Sequence, residues 1–210
     1  MSGLRESQKA NRHARILETA TRLFREHGYD AVKMEAIATA AEVSIGTIYN
    51  YYQNKGDLLV AIVAMEVDEV LRGGEKVIAK PPRGAEKAID RLIGNYIEHS
   101  LVYLNKAMWR QAMAISIQQP DSPFGIAYSA LDAALAQQIC TLIEKLQDLG
   151  LVDEMADAKS FGELIFNNTN MMFTAFIKFE SMTVNELRLA IRKQLRPVVS
   201  ALMKKESCAV

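Results

Sequence analysis

Residues 43–55, Val43-Ser44-Ile45-Gly46-Thr47-Ile48-Tyr49-Asn50-Tyr51-Tyr52-Gln53-Asn54-Lys55, crowd rings, hydroxyls, amides and an ammonium into one short stretch. Ser44 suits an N-cap, because its hydroxyl can accept from the backbone N–H groups that open a helix. Ile48 and Tyr52 stand four apart and turn inward together, which leaves Thr47, Tyr49, Asn50 and Tyr51 facing out. A helix normally hides such rings unless they have something to touch. Outward hydroxyls and amides meet phosphate oxygens, and small or aromatic groups meet base edges. The chemistry implied is recognition, with DNA as the partner.

Such a helix needs a second one to hold it. Ile37, Ala38 and Ala41 give Met34 to Ala41 an apolar face of small residues, and Val43 plugs the angle of a helix-turn-helix. Upstream, Ile16, Leu17, Ala20, Leu23 and Phe24 recur with helical spacing and stop near Gly28. Residues 1–54 therefore read as a three-helix DNA-binding domain and residues 55–210 as a larger helical body.

From Ile16 to Leu59 the chain resembles the tetracycline-repressor (TetR) family of one-component transcriptional regulators. The matching residues are Leu23-Phe24, Gly28-Tyr29, Ile37-Ala38, Val43-Ser44, Gly46-Thr47-Ile48-Tyr49, Tyr52, Lys55 and Leu58-Leu59, in the family's order and with its gaps. By position in that motif, Thr47, Asn50, Tyr51 and Lys55 are implied at phosphates. Ile45, Gly46 and Tyr49 fall where base edges are met, and Lys33 and Ser44 add backbone contacts. Gly46 lets the helix start approach closely, and Ile45 and Tyr49 suit thymine methyl groups. The competing reading of Tyr49 is a ring packed on the first helix. Two positions depart from the family: Lys33 stands where a capping threonine is usual, and Glu42 where glycine is usual before the turn valine. Positive φ at a non-glycine residue carries strain, and the turn is expected to survive it at about 1–2 kcal/mol or less.

The 210 residues carry 25 basic and 25 acidic side chains, so general coating of nucleic acid by excess charge is excluded. Residues 1–25 differ: Arg5, Lys9, Arg12, Arg15, Arg22 and Arg25 face only Glu6 and Glu18. Cys140 and Cys208 are too few for a disulfide framework or a zinc site. Cys140 reads as a buried small residue. No leader opens the chain and no apolar run approaches about 20 residues, so a cytoplasmic protein without a membrane partner is expected. No cofactor or metal is expected.

Beyond Lys55 the helical pattern is expected to break at Arg72-Gly73-Gly74 and at Pro81-Pro82. Further helices are expected over 85–103, 106–118, 124–150, 156–180 and 184–205, with no strand, so the class is all-α. Phe161, Leu164, Ile165, Phe173, Phe176 and Ile177 are too apolar for a solvated helix, as are Leu187, Ile191, Leu195, Val198 and Leu202. Two such helices per subunit can make a four-helix homodimer contact. A dimer would also set two reading helices about 34–36 Å apart on a palindromic operator.

Tyr96, His99, Tyr103, Met108, Trp109, Met113 and Met172 mix rings and thioethers, which suits either ordinary core or an adaptable small-molecule site. The resemblance implies an inducer pocket in this region. Asn167, Asn168 and Asn170 lie in an apolar helix and need partners if buried, from a ligand or across a dimer. The candidate ligand set is Tyr96, His99, Tyr103, Trp109, Met113, Asn168 and Met172. A ligand favouring one spacing of the two heads would release DNA, with the helix starting at Lys55 as the lever. The rival from another class is a helical enzyme or carrier for an apolar molecule. Against it, His13, His27 and His99 are scattered and no nucleophile–base set is visible. A regulator without a ligand is the third reading.

Overall fold

The computed structural model describes residues 2–203, with side chains from residue 7 onward. Cys208 and the expected last turn of the final helix lie outside them. Among the described residues the regular structure is helical throughout: α1 Ser2–His27, α2 Met34–Ala40, α3 Ile45–Tyr49, α4 Lys55–Ala79, α5 Ala85–His99, α6 Lys106–Gln118, α7 Pro123–Asp148, α8 Ala158–Lys178 and α9 Val184–Leu202.

The chain forms two compact units. The first holds residues up to Glu66 together with Leu101–Ser129; the second holds Val67–Ser100 and everything from Ala130 on. The division between these units falls inside α4. In the first unit, Arg25 Nη1 donates to the carbonyl oxygens of Leu101 (3.4 Å) and Val102 (2.6 Å). The Tyr103 N–H donates to the buried carboxylate of Glu66 at 3.1 Å. These bonds bring residues 101–103 into the unit of α1. Ile16, Phe24, Ile37, Ile48, Leu58, Leu59, Ile62, Leu104 and Met108 are almost wholly buried.

In the second unit α9 packs against both α8 and α5. Arg192 grips Asp90 through Nε (2.8 Å) and Nη2 (2.5 Å), and Arg188 pairs with Glu98. The Arg192 guanidinium holds the Asp90 carboxyl below the usual carboxylate range. A Cβ on Gly162 would stand 2.8 Å from Cys140 N, so glycine lets α8 approach α7 closely. Cys140 is buried, as expected, and burial raises its thiol.

Three expectations need correction, and one is narrowed. Helix α4 runs through Arg72-Gly73-Gly74 to Ala79. Its glycines make room for two amides: Asn95 Nδ2 donates to Val70 O and Gln138 Nε2 to Leu71 O, each at 2.8 Å. A side chain at Gly73 or Gly74 would collide with Asn95 or Gln138. Helix α5 stops at His99, where the Ser100 hydroxyl takes the Ile97 carbonyl at 2.8 Å and so competes with helix continuation. Helix α7 is long and apolar enough to cross a membrane by length and composition, and it supplies Ile139, Leu142, Ile143 and Leu146 to the core. Finally, Ile165, Phe173, Phe176, Ile177, Leu187, Ile191, Leu195 and Leu202 are buried within their own chain. The apolar groups left open on these helices are Leu164, Met171 and Leu189.

Asp132 on α7 is a half-buried acid of the second unit. Burial pushes its carboxyl up to about 6, against the opposing hydrogen bond from Asn170. A raised acid favours the fold in its neutral form; that contribution is complete below about pH 4 and is lost as pH rises through about 6. Asp132→Asn is therefore expected to raise the thermal midpoint at pH 7.5. It should also flatten the stability profile between pH 4 and 6, measured by thermal unfolding across that range.

Candidate nucleic-acid interface

The site is built from the turn outward. Helix α1 ends at Gly28, whose φ of 83° is open to glycine and whose N–H returns to Phe24 O at 3.0 Å. Lys33 caps α2 through its backbone only, its carbonyl accepting from Ala36 N (3.1 Å) and Ile37 N (3.3 Å). That is the cost of lysine in a threonine's place: one N-terminal N–H loses a side-chain acceptor. At the other end Glu42 takes φ 53°, as the missing glycine demanded. The Glu42 N–H donates to Thr39 O (3.2 Å) and the Val43 N–H to Ala38 O (3.0 Å). These two bonds form a Schellman closure that satisfies the last carbonyls of α2. The turn stands, with half-buried Val43 in its angle.

Ser44 then opens α3. Its hydroxyl accepts from Thr47 N at 3.1 Å and shares a 2.8 Å hydrogen bond with the Thr47 hydroxyl. Ile48 is fully buried and Tyr52 nearly so, while Ile45 is 37% and Tyr49 49% exposed. Gly46 and Asn50 are exposed, and Thr47 and Tyr51 are half-buried. The Tyr49 side chain is half open to solvent. A Cβ on Gly46 would meet only Ser44 Oγ, at 3.9 Å. No packing within the chain requires glycine there. The structure gathers Ser44, Ile45, Gly46, Thr47, Tyr49, Asn50 and Tyr51 on and beside one short helix, with Lys33 exposed before α2.

Lys55 is placed differently from a free phosphate donor. Its Nζ donates to Tyr29 O (2.8 Å) and Asp30 O (3.1 Å) and lies 4.7 Å from the centre of the Tyr29 ring. It ties the start of α4 to the α1–α2 turn. The helix start itself is capped by Asn54, whose Oδ1 accepts from Asp57 N (3.1 Å), while Asp57 Oδ2 accepts from Gln53 N (2.7 Å).

Sequence reasoning missed the two side chains that bind α1 to this surface. Tyr52 Oη and His13 Nε2 share a 2.7 Å hydrogen bond, and the two rings stack at 5.7 Å. Burial raises the Tyr52 hydroxyl, so it stays protonated. Arg15 Nη2 reaches Glu42 O at 3.4 Å. Helical spacing from Ile16 alone could have put His13 near Tyr52, but nothing in the sequence names its partner.

The candidate ligand residues fall into both units. Tyr103, Trp109 and Met113 belong to the first; Tyr96, His99, Asn168 and Met172 belong to the second. Tyr96 is 7% exposed and donates to Gln138 Oε1 at 2.8 Å, an internal bond of the core. His99 Nε2 lies 3.2 Å from Glu69 Oε2. Asn168 Nδ2 donates to Gln194 Oε1 at 2.7 Å, while its buried Oδ1 has no protein partner.

Residues 16–62 match the family of bacterial regulatory proteins known as tetR. A repressor named KstR from Mycobacterium tuberculosis is 28% identical over 158 residues, 75% of this chain and 64% of its own length. The matches to the KstR repressors span 34–64% of their lengths. A crystal structure of a TetR-family transcriptional regulator from Mesorhizobium loti superposes with a TM-score of 0.76, at 20% identity, over 93% of this chain and 98% of that one. The Thermus thermophilus repressor FadR, in complex with lauroyl-CoA, superposes at 0.67 and 22% identity, over 94% and 98%. At these identities the superpositions establish the all-α fold.

Replacing Glu42 by glycine should relieve the left-handed strain and stabilise the head by about 0.5–1 kcal/mol. Glu42→Val, β-branched at positive φ, should destabilise it by more. Chemical denaturation of the three proteins checks both signs.

Proposed function

We propose that the chain, whose residues 16–62 match the bacterial tetR family of regulatory proteins, is a ligand-responsive, sequence-specific DNA-binding transcriptional repressor. The observation that carries this reading is the open face of α3: exposed Ile45, Gly46, Tyr49 and Asn50 on a helix whose opposite side seats Ile48 in the core. Ile45, Gly46 and Tyr49 meet base edges. Lys33, Ser44, Thr47, Asn50 and Tyr51 meet the phosphate backbone. Lys55 fixes the start of α4 through two backbone carbonyls, and the third N–H of its ammonium is left for a phosphate.

The operator is a palindrome read by a homodimer, whose reading helices lie about 34–36 Å apart. Leu164 and Met171, seven residues apart and so on one side of α8, support a contact there, with Leu189 on α9. The effector is a small, partly apolar molecule. Long-chain acyl-CoA thioesters are the first class to test, given the lauroyl-CoA held by the Thermus thermophilus repressor. Helix α4 begins at Lys55 in the first unit and continues from Val67 in the second, so it is the covalent route by which an effector biases the heads. The protein works in the cytoplasm, with its DNA.

Selection from a randomised duplex pool should return a palindromic sequence with half-sites about one helical turn apart. Lauroyl-CoA should weaken binding to it. Tyr49→Ala should lower affinity for that duplex by about tenfold or more, the scale of a lost base contact, with the dimer intact in size-exclusion chromatography. Lys55→Ala should lower affinity and the thermal midpoint together. A pool with no enriched sequence would overturn the regulator reading and restore the enzyme or carrier.

A further inference from the structure

Helix α1 starts at Ser2, well before its first core residue, Ile16. Every residue from Ser7 to Arg15 is exposed. A helical segment with so little buried surface gains little from packing, and without packing a short helix is marginal in water. From Ser7 to Leu17 there is no acidic residue, while Lys9, Arg12, His13 and Arg15 all fall in this span.

The placement of these cations is specific. Lys9 and Arg12 stand seven and four residues before Ile16, on the side of the helix that Ile16, Ala20 and Leu23 bury further along. That side begins at the reading surface. His13 lies 5.7 Å from the Tyr52 ring and 5.8 Å from the Tyr51 ring, and Arg15 reaches the Glu42 carbonyl in the turn. Just upstream, every residue from Ser7 to Arg12 is exposed. Arg12 Nε makes one local bond, to Gln8 O at 3.3 Å, while Arg22 pairs with Glu26 and Arg25 holds residues 101–102. The cations near the end of α1 thus serve the fold, and those near its start do not.

Resting on the reading of this chain as a DNA-binding regulator, we propose that the first turns of α1 are a phosphate-contacting arm. In it, Lys9 and Arg12 grip the DNA backbone flanking the half-site that α3 reads. A polyanion at that side matches the charge, supplies the packing partner the segment lacks, and lies where α3 already brings the duplex. The arm adds affinity and not sequence preference, because phosphates are alike along the duplex.

The test uses the full chain and the duplex selected by the wild-type protein, with affinity measured across a salt series. Each phosphate contact contributes about 0.9 to the slope of log K against log salt. The double substitution Lys9→Ala/Arg12→Ala is expected to reduce that slope by about 2 for each bound protomer. The selected sequence should stay the same, as should helicity and thermal midpoint. The charge-preserving pair Lys9→Arg/Arg12→Lys should keep the wild-type slope. An unchanged slope for the alanine pair overturns the arm while leaving the regulator intact. A changed winning sequence also overturns it, because Lys9 or Arg12 would then read bases. Failure of the wild-type protein to select any duplex removes both the arm and the reading beneath it.

Discussion

A five-residue helix has no stability of its own in water, because nucleation alone costs more than so few hydrogen bonds return. Every use of α3 therefore depends on how the rest of the unit holds it. Ile48 is seated in the core on one side, Ser44 closes the first turn, and the two bonds of the Ala41–Val43 turn fix the angle at which α3 leaves α2. Tyr52 continues the inward side and locks onto His13 of α1. Strain at Glu42, of order 1–2 kcal/mol, is tolerable because these contacts over-determine the turn. The exposed face is then free to be chosen for a partner.

Much of this was legible before any coordinates. The spacing of Ile16, Ala20, Leu23 and Phe24 announces α1, Gly28 announces its end, and α6 stands at the expected Lys106–Gln118. These signals are local, and local signals read well. The glycine pair misled, because Gly73 and Gly74 break a helix only when nothing needs their missing side chains. Here Asn95 and Gln138 come from distant parts of the chain to occupy that space. Likewise, apolar spacing in α8 and α9 says that Ile165, Phe176, Leu187 and Ile191 are buried, but not against what. Their own chain covers them.

The candidate sites divide along the same line. The interface is legible because Ser44 to Tyr51 are contiguous and their helical phase alone separates Ile48 from Tyr49. Lys55 shows the limit: a lysine at a helix start reads as a donor to something outside, yet two backbone carbonyls of the α1–α2 turn take its ammonium. The proposed ligand residues are dispersed in sequence, and only tertiary structure could group them. Tyr96 proves to be a core hydroxyl bonded to Gln138. Asn168 keeps one satisfied and one unsatisfied polar end, a state that a buried amide holds only at a cost of about 1–3 kcal/mol.

A chain with 25 acids and 25 bases exerts no net long-range pull on DNA. Screening strengthens the point, since charges more than about 10 Å apart hardly act on each other at 0.1 M salt. What matters is which charges stand within reach of phosphates once α3 is docked. In α1 the answer is set by phase and position. Arg22 and Arg25 are spent on Glu26 and on the carbonyls of residues 101–102. Lys9 and Arg12 lie upstream of the core, on the side that His13 aligns with Tyr51 and Tyr52. A neutral protein can in this way bind a polyanion at one surface. On the proposed reading, its selectivity rests on Ile45, Gly46 and Tyr49 rather than on its charge.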